Sequence, residues 1–171
     1  MAMEWDGKVA PPTLRCCLDG RTLVAGERIV SALRLDDGRF VRDDCAEARW
    51  NDYDQARALS WWRSRVPTPR AQGGLVLDPA ALLRVFDDLG SREDRPALVF
   101  RYLVGLCLMR MRRLVLVRFA GSGPGAAMVV ARRGGGTLVL ADPLASGDEL
   151  AQAREDLLRV AGVDPGPAPA G

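Results

Sequence analysis

Apolar and polar positions along the chain separate a β-rich beginning from a mixed helical and β remainder. From residue 14 to residue 42, short apolar runs alternate with turn-forming pairs, and residues 29–35 are apolar on both faces of a strand. Asp37-Gly38 joins this run to residues 39–42, and an Asp-Gly pair between apolar runs favours a tight β-hairpin. The pattern predicts a β-hairpin module over residues 1–52.

Three segments in the middle of the chain have apolar spacings that predict helices. In the first, Leu59, Trp62 and Val66 share one face of a helix. The second begins with Asp78 as a capping residue and Pro79 at the first helical position. The third is apolar nearly all round, which is typical of a buried central helix. These helices are predicted near residues 54–65, 78–89 and 94–111.

The last part of the chain contains short β-prone segments joined by glycine-rich loops, over residues 114–141. This arrangement predicts a three-stranded antiparallel meander. Ser146 and Glu149 then have the spacing of a capping box, which predicts an amphipathic helix over residues 146–161. The Gly-, Pro- and Ala-rich residues 163–171 are expected to be disordered. The predicted fold is α+β, with the hairpin module followed by a body over residues 53–162.

The side-chain repertoire narrows the chemistry that this chain can perform. Its 171 residues include no histidine and a single lysine, Lys8, although basic and acidic residues are nearly balanced at 24 and 22. Histidine is the usual general base and metal ligand, and lysine supplies the point charge of phosphate loops. The common catalytic triads, histidine metal sites and P-loops are therefore excluded. We expect a protein that is not an enzyme and that has no cofactor.

The sequence also indicates where the protein is found. Residues 1–12 lack the apolar core of a signal peptide, and the apolar run 97–109 is shorter than the roughly 20 residues of a membrane span. The four cysteines, two of them adjacent at Cys16 and Cys17, do not have the spacing of a disulfide framework. We expect a cytoplasmic protein with no membrane contact, and the pattern leaves its oligomeric state open.

Two cysteines have part of the pattern of a zinc module. Cys17 and Cys45 each occupy the first position of a C-x-x-C-like segment, one in a turn and one before a predicted helix. Small zinc modules hold a tetrahedral ion with two complete C-x-x-C pairs. Two thiolates do not complete such a site, although Asp19 or Asp44 could add an oxygen ligand. We interpret the segment as a degenerate zinc-ribbon-like hairpin in which Cys17 and Cys45 are vestigial metal ligands.

Two groups of basic residues are candidates for contact with a partner. Arginines interleaved with aromatic residues can bind phosphates and stack on bases, and arginines at a helix end can form an anion-binding corner. Each group also has a structural interpretation, as intramolecular ion pairs or as complements to a helix dipole. The candidate partner-binding or nucleic-acid-binding residues are Trp61, Arg63, Arg65, Arg110, Arg112 and Arg113.

Three functions follow from these features. The leading hypothesis is a non-catalytic module of the bacterial cytoplasm that binds another protein, because the charge is balanced and the common catalytic groups are missing. The alternative is an RNA- or DNA-binding protein that uses the arginines and Trp61. The second alternative is a magnesium-dependent enzyme that uses clustered carboxylates, since such clusters can hold Mg²⁺ or transfer protons. These carboxylates are Asp43, Asp44, Glu47, Asp52 and Asp54.

Over about residues 14–118 the chain resembles a family of uncharacterised small bacterial proteins. The residues that carry the resemblance are Cys17-x-x-Gly20-Arg21, Gly26-Glu27, Ser31-Ala32-Leu33, Arg42-Asp43, Trp50, Trp62-Arg63-x-Arg65-Val66-Pro67, Leu82-Leu83-x-x-Phe86, Arg101-Tyr102 and Leu108-Met109-Arg110-Met111-Arg112. In that family the position of Ala48 can hold a second cysteine. The resemblance implies a cytoplasmic single-chain module with a zinc-ribbon-like beginning, and it implies no activity.

Overall fold

The predicted hairpin lies in the first of two compact units. A computed structural model describes residues 14–66 and 78–161. The first unit comprises Met1–Leu77 and Leu158–Gly171, and the second comprises Asp78–Leu157. The predicted boundary between residues 52 and 53 therefore differs from the observed division, and the predicted disordered tail lies outside the described residues.

The first unit is built on a three-stranded antiparallel sheet. Its strands are β1 (Arg28–Asp36), β2 (Arg39–Ala46) and β3 (Ser60–Arg65), in the order β2-β1-β3. The turn between β1 and β2 is Asp37-Gly38, and both residues have positive φ angles of 47° and 74°. This backbone matches the twist of a two-residue hairpin. The predicted hairpin is confirmed.

The helix predicted near residues 54–65 is wrong. Residues Glu47–Asp52 and Gln55–Arg57 form short 3₁₀ turns, and residues 60–65 form β3. The sequence of β3 has tryptophan on both faces, and aromatic residues favour strands. The far edge of β1 offers unpaired backbone groups, and β3 satisfies them by pairing along residues 28–33. Tertiary hydrogen bonding thus overrides a helical spacing that rested on three apolar positions.

The central strand β1 is buried on both faces. Val30 and Ala32 face the main apolar core, which contains Cys16, Leu23, Cys45, Ala46, Trp50, Tyr53 and Val66. On the opposite face, Ser31 Oγ donates a hydrogen bond to Asp44 Oδ1 at 2.5 Å. Arg42 joins the same cluster, because its Nε donates to Asp44 Oδ1 at 2.9 Å and its Nη1 donates to the carbonyl of Val160 at 2.9 Å. The buried charges are therefore mutually compensated.

The second unit contains helices and a second antiparallel sheet. Its elements are α1 (Pro79–Asp88), α2 (Arg95–Arg110), β4 (Leu114–Ala120), β5 (Ala127–Arg132), β6 (Thr137–Leu140) and α3 (Gly147–Val160), whose last residues from Leu158 belong to the first unit. The sheet order is β4-β5-β6, which confirms the predicted meander and the α+β fold. None of the described helices is long and apolar enough to cross a membrane.

The predicted helix starts of the second unit are confirmed. Asp78 accepts a hydrogen bond from the backbone of Ala80 at 3.0 Å, directly before α1. Ser146 and Glu149 form a reciprocal capping box, in which the Ser146 amide donates to Glu149 Oε2 at 2.8 Å and the Glu149 amide donates to Ser146 Oγ at 3.2 Å. These interactions are local in sequence, so the pattern of residues is sufficient to predict them.

The buried helix α2 is packed closely against the sheet at Gly105. A Cβ atom on Gly105 would lie 2.6 Å from Leu140 Cδ2 and 3.1 Å from Phe86 Cε2. The missing side chain therefore allows α2 to approach both β6 and α1. Arg101, one turn earlier, donates to the carbonyl of Phe86 at 3.1 Å and lies over its ring. Arg101 and Gly105 lie on the side of α2 that has the fewest apolar side chains. This side of the helix is nevertheless packed against α1 and β6.

We expect two leucine substitutions in α2 to have very different effects. Leu108 is fully buried, whereas Leu98 is 38% exposed. Leu108→Ala should lower the free energy of unfolding by about 2–5 kcal/mol, because it removes buried methyl groups and leaves a cavity. Leu98→Ala should lower it by less than about 1 kcal/mol. Urea denaturation followed by circular dichroism measures both, and equal losses would contradict the assigned orientation of α2.

Candidate interaction surface

Trp61 is part of an aromatic cluster in the first unit. It lies on β3 and is half-buried, with its ring centroid 5.5 Å from that of Trp50. Trp50 in turn stacks on Tyr53, with ring centroids 5.1 Å apart. Such contacts add to the stabilisation given by area burial. Most of the Trp61 ring is therefore engaged within the chain and is not a free platform for a base.

The two arginines of β3 also make internal contacts. The guanidinium of Arg63 lies 5.0 Å from the centroid of Trp61, and its Nε donates to Glu47 Oε1 at 3.0 Å. Arg65 donates from Nη1 to the carbonyl of Gly26 at 3.0 Å. The group predicted from Trp61, Arg63 and Arg65 is therefore an arginine-capped aromatic stack whose charge is partly neutralised by Glu47.

The second predicted group has a different environment. Arg110 ends α2, and Arg112 and Arg113 lie between α2 and β4. All three are exposed, and among residues 14–66 and 78–161 none of them has an ion pair with a carboxylate. Arg112 has a φ of 57°, which turns the chain sharply out of the helix. This turn places the three guanidinium groups at the beginning of β4.

The structure adds two further arginines to this group. Arg118 is exposed on β4, and Arg133 follows β5 directly, with its amide donating to the carbonyl of Arg113 at 3.3 Å. Neither has an acidic partner in the described part of the chain, unlike Arg132 beside them, which pairs with Asp87. The structure therefore assembles one arginine set around β4, which consists of Arg110, Arg112, Arg113, Arg118 and Arg133.

Exposed apolar side chains are concentrated on the same sheet. Val115, Val117 and Phe119 of β4 and Val139 of β6 are each more than half exposed, and Leu116 is 37% exposed. We call the four of these residues that lie on β4 the β4 surface. Single exposed apolar residues are common on proteins, but a contiguous group of large ones is typical of an interaction site.

The pairing of the strands shows which face each side chain occupies. Residues directly opposite each other in an antiparallel pair share a face. Val115 lies opposite Ala131, and Val139 lies opposite Val129, on the face away from α2. Phe119 lies opposite Met128, which lies opposite Leu140, on the face that α2 contacts at Gly105. The register shifts between Leu116 and Arg118, so Val117 is the extra residue of a β-bulge.

The backbone of β4 is satisfied along one side only. In the order β4-β5-β6, β4 is hydrogen-bonded to β5 and is an edge strand. No other described segment pairs with it. Its outer N–H and C=O groups therefore face solvent, next to exposed side chains on both faces.

The cysteines lie in the first unit, apart from Cys107, and all four are free. Cys16 and Cys45 are buried and Cys17 is exposed. The amide of Gly20 donates to the carbonyl of Cys16 at 2.8 Å, so the turn closes on Cys16 and not on Cys17. No group of three or more Cys, Asp or Glu side chains within the described ranges is arranged to hold a metal ion.

The thiols of Cys17 and Cys45 are held in the protonated form at neutral pH. Burial, followed by the neighbouring thiols of Cys17 and Cys16, raises the pKa of Cys45 to about 12. Partial desolvation of its sulfur, followed by the charge of Asp43, raises the pKa of Cys17 to about 11. A thiolate is the form that binds metals and attacks electrophiles. These two thiols are therefore of low reactivity.

The clustered carboxylates are separated and paired. Asp43 and Asp44 are adjacent on β2 and project to opposite faces of the sheet. Asp43 accepts from Arg34 Nε and from Tyr53 Oη, both at 2.8 Å, and the phenol pKa of Tyr53 is raised by burial and by this hydrogen bond. Asp44 belongs to the cluster with Arg42. The other three acidic residues are also engaged: Glu47 with Arg63, Asp52 with Arg49, and Asp54 with the amide of Ala56.

Comparison with known proteins adds no functional assignment. No family model matches the chain, and no curated protein or solved structure matches it. The resemblance to small bacterial proteins stays a prediction. The function is therefore argued from the geometry of the surface.

Alkylation of Cys17 tests the environment of the turn. A pKa raised from 9.0 to about 11 leaves roughly 100-fold less thiolate near pH 8. We expect iodoacetamide to modify Cys17 about 100 times more slowly in the folded chain than in the urea-unfolded chain, as measured by peptide mass spectrometry. The rate in the folded chain should keep rising with pH beyond about 9.0, and a plateau there would contradict the prediction.

Proposed function

We propose that this chain is a non-catalytic module of the bacterial cytoplasm that binds another protein through the β4 surface. The observation that carries the proposal is the concentration of exposed Val115, Leu116, Val117 and Phe119 on one edge strand. An apolar group of this kind in contact with water is unfavourable, and a partner that covers it removes that cost.

The size of the apolar contribution indicates what else the partner needs. Burying a Val, Leu or Phe side chain completely contributes about 1.5–3 kcal/mol, so half of that remains to be gained at the half-exposed positions. The four side chains of the β4 surface together would contribute roughly 3–6 kcal/mol. Association itself costs about 4–15 kcal/mol. The apolar contacts are therefore insufficient alone, and polar complementarity is required.

Other features support the remaining parts of the proposal. The carboxylates of the predicted magnesium site are each engaged within the chain, which supports a non-catalytic role. The four cysteines are free, and two of them lie in the apolar core of the first unit. Free cysteines are typical of proteins from a reducing compartment, which supports a cytoplasmic location.

Site-specific photo-cross-linking tests the proposed surface. A benzoylphenylalanine at Phe119 should form a discrete adduct with one protein in cells of the source organism. The same group at Ala80, which is exposed on α1, should not form that adduct. The adduct should disappear when Val115→Glu is added, because a buried charge opposes docking. Equal adducts at Phe119 and Ala80, or none at either, would contradict the proposal.

Nucleic-acid binding is a second candidate function, favoured by the arginine set. Five arginines without acidic partners in the described part of the chain form a local excess of positive charge beside β4. Arg110, Arg112 and Arg113 were predicted for this role. Trp61, Arg63 and Arg65 make internal contacts instead, so this candidate now depends on the second unit.

Salt dependence distinguishes this second candidate. About four phosphate contacts on single-stranded RNA give a slope near −0.7 per contact. The affinity for a fluorescent oligonucleotide should therefore fall roughly 50-fold between about 50 and 200 mM salt. Fluorescence anisotropy measures this change, and Arg112→Ala with Arg113→Ala should reduce the slope. A flat response, or no binding at low salt, removes the candidate.

A further inference from the structure

We infer that the partner presents an extended acidic segment, which pairs with the outer edge of β4 as a fourth strand of the second sheet. The inference rests on the proposed function, that the β4 surface binds a protein. It adds the conformation and the charge of the segment that binds. Three independent features of β4 support it: its open backbone, its side chains on two faces and the arginine set around it.

The open backbone favours an extended polypeptide over other ligands. β4 spans Leu114–Ala120, and among the described residues it pairs only with β5. An added strand would accept and donate hydrogen bonds along the free side, which is a common mode of peptide recognition. These bonds supply polar complementarity without requiring a particular side-chain sequence. They therefore supply the polar complementarity that the apolar contacts of the β4 surface do not provide.

The exposed side chains lie where an added strand would place its own. Alternate residues of a strand project to opposite faces, so the added strand would have one row beside Val115 and another beside Leu116 and Phe119. Val139 is on β6, with β5 and β4 between it and the free edge. A partner strand on β4 would not contact Val139. Contact with Val139 therefore distinguishes docking on the open face of the sheet from strand pairing at the edge of β4.

The charge around β4 selects an acidic partner. Arg112 and Arg113 precede the strand and Arg118 lies within it, so an added strand would run beside guanidinium groups that have no acidic partner in residues 14–66 and 78–161. Carboxylates on the partner would form charge-assisted hydrogen bonds with them. The bulge at Val117 and the charge of Arg118 are features that discourage indiscriminate edge pairing. They therefore favour a partner whose acidic residues match these positions.

The same features disfavour two other occupants. In a second copy of this chain, antiparallel pairing of β4 with itself would join two strands that each carry Arg118 and no acidic residue. Such a pair adds positive charge without the carboxylates that would form charge-assisted hydrogen bonds. A nucleic acid would contact the arginines, but it would leave the valines and Leu116 without apolar partners, and Phe119 is the one aromatic residue of β4 available for stacking.

Selection from a random twelve-residue peptide library displayed on phage, against the full chain, tests the inference. We expect enriched peptides to alternate apolar and polar residues and to contain several Asp or Glu. A synthetic peptide of the most enriched sequence should lose at least about tenfold in affinity for Arg112→Ala with Arg113→Ala, and for Leu116→Glu. Val139→Glu is the matched control and should change the affinity less than about twofold.

Methylation of the peptide backbone tests strand pairing directly. N-methyl groups on alternate amides of one register should abolish binding, because those amides donate to β4, and N-methyl groups on the other register should have little effect. Circular dichroism melts confirm that each variant folds. If Leu116→Glu does not fold, Val115→Thr provides a milder change on the opposite face, with a smaller expected loss.

Any other result overturns the inference, and the result itself identifies the alternative mode of binding. Enriched peptides without acidic residues, equal sensitivity to Val139→Glu, or tolerance of both methylation registers would show face docking, and the proposed function would stand. The absence of any enriched peptide also overturns the inference, and the photo-cross-link at Phe119 then decides the proposed function separately. Arginine-dependent binding of oligothymidylate or of phosphatidylserine vesicles, with no peptide bound, identifies an anionic polymer or a membrane instead. A concentration-dependent dimer that Val115→Glu dissociates identifies a second copy.

Discussion

In a three-stranded sheet, the middle strand forms backbone hydrogen bonds on both sides, whereas each of the two outer strands has one side without a strand partner. Both units of this protein are built on such a sheet. In the first, β1 is the middle strand, and residues 29–33 are buried on both faces between β2 and β3. In the second, β5 is the middle strand, and Val130 is fully buried. The polar backbone of the edges must be satisfied by water or by another chain. The functional interpretation of β4 follows from that requirement.

Arginine has two roles in this protein, and the availability of partners separates them. Arg42, Arg63 and Arg101 each use a planar guanidinium to contact an aromatic ring and an oxygen acceptor in the same chain. The delocalised charge suits contact with an aromatic face better than an ammonium group would. The arginine set around β4 has the same chemistry but lacks internal acceptors in the described ranges. Arginine thus stabilises the cores of both units and also forms part of the proposed binding surface around β4.

The parts of the candidate site that could be predicted from the sequence are those fixed by neighbouring residues. Arg110, Arg112 and Arg113 are consecutive or nearly so, and their place at a helix end followed from the length of the apolar run before them. Arg133 was missed because it is unremarkable in its own segment. The pairing of β5 with β4 and the bond between Arg133 and Arg113 bring it beside the others. The exposure of β4 was also missed, since an apolar strand is ordinarily buried.

By itself, the sequence determined the hairpin at Asp37-Gly38, the capped starts of α1 and α3, the meander and the restricted chemistry of a chain without histidine. Each depends on residues a few positions apart, whose hydrogen bonds and φ angles form locally. Tertiary structure alone decided that residues 60–65 form a strand, that Asp43 and Asp44 are separated by the sheet, and that β4 stays open. These outcomes depend on which distant backbone groups and side chains meet, because pairing and burial are properties of the assembled chain.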